Sequence, residues 1–394
     1  MTPSEHRVLV VVGTRPEAIK MAPVLDGLRA HAPDIRPRVA FTGQHTTLVD
    51  QVLTAFDMTP DDDLAIMKPG QSLYDVVHGV LDGLKDVVAS FRPHMVLVQG
   101  DTATVFVGAL VAFFEGVMVG HVEAGLRSGD KKAPFPEEVL RRLTDVIADV
   151  HFAPTRQAGD LLARELSPAD ELQGGGRGGP ARVHVTGTTV VDALQRVAAL
   201  DRPIGNEVLR RLTDDPARRL VLLTAHRRES FGAPIREVFG AVRALADRVP
   251  DIHILYPVHP NPNVREPAEA VLADHPRVHL TEPLDYFDLV AALRRASLVL
   301  TDSGGIQEEA PTFGAHVLVL REVTERPEGV EAGVAELVGT DAALIVARGV
   351  AALEGGSPPK RANPYGDGQA GVRIADIVMA TLTGRPRATR DWDG

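Results

Sequence analysis

Cysteine is absent from this chain of 394 residues. The sequence therefore excludes a disulfide scaffold, an iron–sulfur cluster, a cysteine-ligated zinc site and a cysteine nucleophile. No stretch approaches the roughly 18 consecutive apolar residues that a membrane-spanning helix needs. The N-terminal stretch is too short and too polar at its flanks for a signal peptide, so we expect a cytoplasmic protein.

The sequence also lacks an excess of basic residues. Lysine and arginine total 42 against 53 aspartates and glutamates, which gives a formal net charge of −11. This balance argues against nucleic acid or an anionic membrane as the main partner. Lysine itself is rare, and most of the basic residues are arginines. Because the planar guanidinium suits phosphate recognition, arginines near glycine turns are candidate ligand contacts.

Short apolar runs alternate with longer stretches of helical spacing along the whole chain. The first series of strand-like runs lies at 7–13, 38–43, 94–101, 117–125 and 150–154. The second series lies at 182–187, 219–226, 252–259, 277–283, 298–305 and 316–322. Continuous apolar strands that alternate with helices are typical of parallel sheets covered on both faces. The pattern predicts an α/β protein with two Rossmann-like, doubly wound domains facing across a cleft.

Glycine and proline mark the expected domain boundaries. The segment QGGGRGGPAR (173–182) is too rich in glycine to pack as a helix or strand, and the insertion at 173–180 has no assigned role. A second break lies at 355–368. We therefore predict an N-terminal domain over 1–182 and a C-terminal domain over 183–367. A helix at about 368–385 is predicted to pack back on the first domain.

Polar residues cluster where the apolar runs end. The carboxyl ends of the predicted strands read GTRPE (13–17), TGQH (42–45), QGDT (99–102), HVEAG (121–125), TAHRRES (224–230), YPVHP (256–260) and TDSGG (301–305). Ligands of open parallel sheets bind outside these ends, at the point where the strand order reverses. The clustering therefore predicts an active site built from these turns.

The segment TDSGGIQEEA (301–310) carries the strongest signal for phosphate. A strand ends, two glycines permit close approach of the backbone, and a helix begins whose free N–H groups favour an anion. Glu309 follows in that helix and could accept hydrogen bonds from ribose hydroxyls. Arg15 and Lys20 flank the related turn GTRPEAIK (13–20), and Arg326 lies in the loop ERPE (325–328).

The acid–base candidates are Asp101, Glu123, Glu137 and His226. The two carboxylates that directly follow apolar runs, Asp101 and Glu123, have no packing role there. Glu137 is expected to begin a helix after PFP, and His226 lies among charged neighbours that could hold its charge state near neutrality. The fingerprint G-x-G-x-x-G is absent from 13–20 and no H-E-x-x-H pair occurs, so we expect neither a nicotinamide cofactor nor a metal.

Taken together, these motifs resemble one family. VVGTRPEAIKMAPV, QGDT, GHVEAGLRSGD, PFPEE, AHRRES, YPVHPNPNVREP, LTDSGGIQEEAP, TERPE and NPYGDGQA are similar to segments of the non-hydrolysing UDP-N-acetylglucosamine 2-epimerases. The resemblance covers about residues 7 to 380. It implies two Rossmann-like domains in the GT-B arrangement, a homodimer, a UDP-sugar substrate, no cofactor, and reversible conversion of UDP-GlcNAc to UDP-ManNAc.

The resemblance also assigns residues. The positions that match the family's catalytic residues are Asp101, Glu123, Glu137 and His226. The positions that match its substrate contacts are Arg15, Lys20, Asp101, Glu123, His226, Ser303, Gly304, Gly305, Glu309 and Arg326. Some bacterial members carry a second, activating UDP-GlcNAc site, to which Gln44, His45 and His259 correspond. Thr47 and Gly70 stand where those members have Gln and Arg. Further departures from the usual pattern are Phe135, Leu140, Leu284 and Leu289.

Several functions remain open at the level of sequence. A hydrolysing epimerase would release free ManNAc and UDP, and a GT-B glycosyltransferase would pass the sugar to an acceptor. A nucleotide-sugar sensor would keep the phosphate site and lose the acids, whereas all four acid–base positions are filled here. Neither the exact sugar nucleotide nor the pathway follows from one sequence.

Overall fold

The computed structural model describes residues 5–43, 47–66, 68, 70–132, 134–166, 182–200, 202–215, 217–355 and 361–394. Its strands are β1 (His6–Val12), β2 (Ile35–Phe41), β3 (Asp62–Asp63), β4 (Met95–Gln99), β5 (Met118–Val122), β6 (Val150–Ala153), β7 (Arg182–Val185), β8 (Arg219–Thr224), β9 (Ile252–Pro257), β10 (Val278–Thr281), β11 (Ala296–Thr301), β12 (His316–Val319) and β13 (Ala335–Leu337).

Helices follow most of the strands. They are α1 (Arg15–Arg29), α2 (Thr47–Ala55), α3 (Leu73–Phe91), α4 (Ala103–Phe114), α5 (Glu137–Ile147), α6 (Arg156–Glu165), α7 (Thr189–Ala198), α8 (Glu207–Thr213), α9 (Ala233–Arg248), α10 (Pro262–Leu272), α11 (Tyr286–Arg295), α12 (Gly304–Glu309), α13 (Pro327–Glu331), α14 (Ala342–Glu354) and α15 (Ala370–Thr383). Short 3₁₀ helices lie at Arg228–Ser230 and Ala310–Phe313. The α/β alternation predicted from the sequence is confirmed.

The chain divides into two compact units. The first unit comprises Met1–Ala193 with Tyr365–Gly394, and the second comprises Leu194–Pro364. The domain bounds predicted from the sequence, 1–182 and 183–367, stay a prediction.

The first unit contains a parallel sheet with the strand order β3-β2-β1-β4-β5-β6-β7. Val8 to Val12 of β1 are all buried, on both faces of the strand. Such a strand needs helices on both sides of the sheet, which explains why its sequence is continuously apolar rather than alternating. The sequence predicts that the run at 182–187 belongs to the second series. That prediction is wrong, because this run forms β7, which pairs with β6 in the first sheet.

The second unit contains a parallel sheet with the strand order β10-β9-β8-β11-β12-β13. Leu220 to Leu223 of β8 are buried on both faces. Helices α9 and α14 contribute to the same core with side chains such as Phe239, Leu245 and Ile345. In both sheets, therefore, a central strand is buried on both faces, and each sheet has its own hydrophobic core.

The strand order reverses once in each sheet, between β1 and β4 in the first and between β8 and β11 in the second. Chain segments leave these adjacent strands towards opposite sides, which opens a crevice at their carboxyl ends. Gly13 and Gly100 begin the two turns in the first unit, and Ala225 and Asp302 begin the two turns in the second. Four of the seven polar turns predicted to bind ligand, those after β1, β4, β8 and β11, therefore lie at the two switch points.

Helix α15 packs against α1 in the first unit. Glycines allow the close approach: a Cβ added to Gly371 would lie 2.5 Å from the Pro23 backbone, and one added to Gly27 would lie 2.8 Å from the Ala375 Cβ. The C-terminal segment thus belongs structurally with the beginning of the chain.

Candidate functional site

The structure places the predicted site residues at the ends of the strands that form the switch points or next to them. In the first unit, Arg15 and Lys20 lie on α1, Asp101 follows β4, Glu123 follows β5 and Glu137 begins α5. In the second unit, His226 follows β8, His259 follows β9, Ser303 precedes α12, Gly304, Gly305 and Glu309 lie in α12, and Arg326 precedes α13. Gln44 and His45 lie outside the described residues.

Glu123 and Lys20 form an ion pair, with 2.5 Å between Lys20 Nζ and Glu123 Oε2. Gln99 Nε2 donates to the same carboxylate oxygen over 2.6 Å. Glu123 also has a left-handed backbone, with φ 65°. A glutamate in this region is strained by about 1–3 kcal/mol, and such strain concentrates at functional sites. The structure therefore holds this carboxylate in a defined place between β4, β5 and α1.

Asp101 forms an ion pair with Arg141 of α5. Arg141 is also 3.2 Å from Glu138 Oε2, and the buried Glu138 accepts hydrogen bonds from the Ser128 and Gly129 N–H groups. Burial raises the pKa of Glu138, but the hydrogen bond from Ser128 and the Arg142 and Arg141 guanidinium groups lower it by more. The net shift of this pKa is therefore downward. Glu138 thus anchors α5 and holds Arg141, the arginine that pairs with Asp101.

Glu137 lies one helical turn before Arg141 on the same face of α5. It is the first residue of the helix and is half-buried. Arg141 ties this face to Asp101, and Asp101 and Glu123 follow the neighbouring strands β4 and β5.

The fully buried His121 of β5 links α5 to the turn after β4. Its Nδ1 lies 2.6 Å from Asp145 Oδ1, and its Nε2 lies 2.8 Å from the carbonyl oxygen of Gly100, the residue before Asp101. Burial lowers the pKa of His121, but the Asp145 carboxylate more than compensates, so that the pKa is raised. Asp145 also pairs with Arg127 over 2.8 Å. An imidazolium at this position donates to both partners and fixes the turn after β4.

We expect this buried network to make the stability of the protein acid-sensitive. Burial raises the pKa of Asp145, but the His121 cation outweighs it and the net pKa falls from 3.8 to about 2. A depressed carboxylate pKa stabilises the folded state above pH 3.8, and this contribution is lost as the pH falls through about 2. Its size is roughly 2 kcal/mol.

Asp145→Asn should therefore lower the urea midpoint at neutral pH and flatten its dependence on pH across that acidic window. Asp251→Asn is the matched control, because Asp251 also pairs with an arginine but is solvent-exposed. Parallel midpoint curves for Asp145→Asn and the wild-type protein between neutral pH and pH 3 would contradict the assignment.

In the second unit, Asp302 positions His226. Asp302 Oδ2 accepts hydrogen bonds from the backbone N–H groups of His226 (2.7 Å) and Arg227 (2.8 Å), and Oδ1 lies 3.4 Å from His226 Nδ1. Burial lowers the pKa of His226 more than Asp302 raises it, and nearby His259 and Arg227 lower it further. The imidazole is therefore neutral at neutral pH. The His259 ring stacks on it, with 5.6 Å between the ring centroids.

The turn between β11 and α12 brings backbone close to the loop that carries Arg326. The Ser303 side chain makes no capping hydrogen bond to α12, and its N–H donates to Thr301 Oγ1 over 2.9 Å. A Cβ added to Gly304 would lie 3.0 Å from Glu325 Oε1 and 3.2 Å from Arg326 Cζ. Glycine at this position allows the guanidinium to lie directly against the first residue of the helix.

Two carboxylates hold Arg326. Its Nε donates to Glu308 Oε1 over 2.7 Å, and its Nη1 is 3.0 Å from Glu325 Oε1. Arg321 contacts the other oxygen of Glu325 over 2.7 Å. Burial raises the pKa of Glu325, but the Arg326 and Arg321 cations lower it to a net value of about 2. The guanidinium is thus pre-oriented beside α12, at a place suited to an anionic ligand.

Sequence reasoning missed most of the residues that support the site. Arg141, Glu138 and Asp145 lie on α5, where charged residues read as a solvated face, and His121 lies inside an apolar strand. Their partners are remote in sequence, so only the fold reveals the pairs. A local signal existed for Glu17, which stands three residues after Thr14 in the pattern of a capping box.

Two structural features are absent from the residues that the structure describes. None of their helices is both long and apolar enough to cross a membrane. Nor do they contain a group of three or more histidine, aspartate or glutamate side chains arranged to hold a metal ion.

Two doubly wound parallel sheets, with acids at one switch point and an arginine beside a glycine-initiated helix at the other, define an α/β enzyme of the GT-B architecture. Sucrose-phosphate synthase from Thermosynechococcus elongatus shares this fold, with a TM-score of 0.54 at 13% identity. The family model for UDP-N-acetylglucosamine 2-epimerase matches residues 28–379. The chain belongs to the UDP-N-acetylglucosamine 2-epimerase family and is an isomerase.

Individual relatives are similar over nearly their whole length. The UDP-N-acetylglucosamine 2-epimerase of Escherichia coli (strain K12) is 46% identical over 382 residues, 94% of this chain and 98% of that protein. A family member from Listeria monocytogenes superposes with a TM-score of 0.88 at 43% identity, covering 99% of this chain and all of that one. The UDP-GlcNAc 2-epimerase from Neisseria meningitidis, crystallised with UDP-GlcNAc, has a TM-score of 0.82 at 40% identity, covering 96% and 100%.

Proposed function

We propose that this chain is a non-hydrolysing epimerase that interconverts UDP-GlcNAc and UDP-ManNAc. The observation that carries the proposal is that Asp101 and Glu123 follow neighbouring strands at the first switch point and pair with the cations Arg141 and Lys20, with Glu137 one turn before Arg141 on α5. A hydrolytic or transfer reaction needs fewer acid–base groups than an inversion, which requires proton transfer on both faces of the sugar ring. Family membership and the UDP-GlcNAc bound to the Neisseria meningitidis enzyme support the choice of substrate.

The reaction begins with departure of UDP. Carbon 2 of the sugar is not next to a carbonyl, so a carboxylate of ordinary pKa cannot remove its proton directly. When the bond between carbon 1 and the diphosphate oxygen breaks, its electron pair leaves with UDP, and carbon 1 gains oxocarbenium character. This change acidifies the neighbouring C–H bond, so that an enzyme carboxylate can accept the proton while a carbon 1–carbon 2 double bond forms.

The resulting glycal is then converted back. A second acid delivers a proton to carbon 2 from the opposite face, and a UDP oxygen adds again to carbon 1, which balances the bonds broken in the first half. We assign the proton transfers jointly to Asp101, Glu123 and Glu137. General acid–base help of this kind contributes about 10²–10⁴-fold to the rate.

The UDP group is assigned to the second unit. Ser303, Gly304, Gly305 and Arg326 would bind the diphosphate, and Glu309 would accept hydrogen bonds from ribose hydroxyls. Preorganised donors aimed at a leaving group stabilise the transition state more than the ground state. The neutral imidazole of His226 can donate a hydrogen bond to the diphosphate, and it can deliver a proton only after it has first accepted one and become an imidazolium. Arg15 and Lys20 complete the proposed substrate contacts from α1.

Proton NMR of UDP-GlcNAc with the purified protein and no added cofactor tests this function. We expect UDP-ManNAc to appear and to reach a stable ratio with UDP-GlcNAc, because the reaction conserves the nucleotide sugar. Accumulation of free ManNAc and UDP would instead identify a hydrolysing epimerase. No change without an acceptor, followed by sugar transfer when one is added, would identify a glycosyltransferase.

The expected partner is a second copy of the chain. The first unit exposes large apolar side chains on α4 and α5: Phe113 and Phe114 at the end of α4, and Val139, Leu143 and Val146 along one face of α5. The two helices pack against each other, so these side chains belong to adjoining surface. An apolar surface of this kind typically marks a protein interface. We propose that the homodimer implied by the resemblance forms here.

A further inference from the structure

Glu17 is a buried carboxylate that the proposed mechanism does not use. It lies at the third position of α1 and is 3% exposed. Three donors converge on it. The Gly13 N–H (2.6 Å) and Thr14 N–H (3.2 Å) donate to Oε2, and the Thr102 hydroxyl donates to Oε1 over 2.8 Å.

Capping of α1 accounts for only part of this arrangement. In a capping box, the carboxylate at the third helical position accepts from the N–H of the capping residue, here Thr14. The bonds from Gly13 and Thr102 are additional, and Thr102 is 85 residues away in sequence. The box at the start of α3 shows what capping alone requires: Asp75 accepts from Ser72, and both residues are solvent-exposed.

Burying Glu17 is energetically costly. Burial raises its pKa more than the hydrogen bonds from Gly13, Thr102 and Thr14 lower it, so that the net pKa rises from 4.5 to about 7. The surrounding corner is tightly packed, because a Cβ added to Gly13 would lie 2.7 Å from Thr104 Oγ1 and 2.9 Å from Thr42 Oγ1. A helix cap needs no such burial.

We propose that Glu17 is a positioning residue that ties the turn after β1, which carries Arg15, to the turn after β4, which carries Asp101. The two turns flank the first switch point, and the carboxylate bridges them directly. Thr102 follows Asp101 in the chain, so fixing its hydroxyl fixes the backbone from which the Asp101 side chain extends. The inference rests on the proposed function for its catalytic consequence, whereas the bridge between the turns is independent of it.

Glu17→Gln weakens the bridge with little change in shape. An amide has one acceptor oxygen and one donor group, so it cannot accept from all three donors that now meet the carboxylate. If the amide oxygen accepts from Gly13 and Thr14, the amide N–H faces Thr102. The Thr102 hydroxyl must then accept from it, in addition to the Val105 N–H, and its own hydrogen loses its acceptor. We expect the segment 100–106 to exchange its amide hydrogens faster in Glu17→Gln than in the wild-type protein.

Asp75→Asn is the matched control, since it removes the carboxylate of a capping box without a second strand-end turn. We expect it to leave hydrogen exchange at 100–106 unchanged. Equal exchange of 100–106 in Glu17→Gln and Asp75→Asn, both folded by circular dichroism, would overturn the proposal.

Turnover supplies the second readout. A displacement of about 1 Å in a reacting group can cost up to about 10²-fold, so Glu17→Gln should lower kcat by roughly tenfold or more. Affinity for UDP, measured by calorimetry, should stay close to the wild-type value because the proposed UDP contacts lie largely in the second unit. Wild-type kcat in Glu17→Gln would also overturn the positioning role. Failure of the wild-type protein to epimerise would refute the proposed function instead, and the exchange experiment would still decide whether the bridge exists.

Discussion

Glu137→Gln should lower the turnover number for epimerisation by about 10²-fold or more, with little change in UDP affinity. The substitution keeps the size of the side chain and removes its capacity to exchange a proton. The helix should remain in place, because Glu138, Arg141 and Asp145 anchor α5 independently. Pre-steady-state mixing would separate this chemical step from product release.

Glu207→Gln is the control for this experiment. Glu207 also begins a helix, α8, and it is exposed and belongs to the second unit, whereas the proposed acids belong to the first. Its replacement should leave turnover unchanged within about twofold, since surface substitutions away from specific contacts have small effects. Near-normal turnover of Glu137→Gln would remove this residue from the proton-transfer set.

Arg326→Ala should weaken UDP binding by roughly 10- to 100-fold. Hydrogen bonds to charged groups contribute about 1.5–3 kcal/mol, and every 1.4 kcal/mol corresponds to about tenfold in affinity. Glu308 and Glu325 hold the guanidinium beside Gly304, so the bound ligand meets a cation that is already oriented. Calorimetric titration with UDP measures the effect without requiring turnover.

Two further variants separate binding from folding. Arg326→Ala removes an arginine that pairs with the buried Glu308. The melting temperature of this variant should therefore also fall. Arg326→Lys keeps the charge but loses the fork geometry, and an intermediate UDP affinity is expected. Arg348→Ala removes a solvent-exposed arginine that pairs with Glu336 over 2.6 Å and should bind UDP normally. Equal affinities of the Arg326→Ala and Arg348→Ala variants would place Arg326 outside the site.

Much of the fold follows from local patterns. The run predicted at 7–13 corresponds to β1 at His6–Val12, and the turn after it begins α1 at Arg15, as the Thr14 cap and Pro16 indicate. The strands β3 and β13 were not predicted, because DD and AEL are too short and carry no apolar pattern. Hydrophobicity shows that a segment forms a strand, but not which neighbours it pairs with. The place of β7 in the first sheet therefore could not be read from the sequence.

In the site, too, local patterns predicted some residues, whereas others depend on which strands are neighbours. Asp101 and Glu123 could be selected because polar residues directly after buried strands have no packing role, and Ser303 because it precedes two glycines at the start of a helix. Strand order, which brings the turns after β1 and β4 together, is a property of the whole sheet. For that reason the bridge from Glu17 to Thr102 and the buried pair His121–Asp145 became visible only in the structure. Each joins residues that no local pattern relates.

Elimination and re-addition of UDP is tested most directly by an isotope experiment on the active enzyme. UDP-GlcNAc labelled with heavy oxygen in the bond between carbon 1 and the diphosphate is incubated with the protein in heavy water. If the reaction passes through a glycal, deuterium enters carbon 2 of the product and progressively of the recovered substrate. The bridge label should at the same time scramble among the diphosphate oxygens, because the bond to carbon 1 breaks in every turnover. Deuterium at carbon 2 with the label fully retained in the bridge would contradict the mechanism, since it would mean that the proton exchanges without departure of UDP.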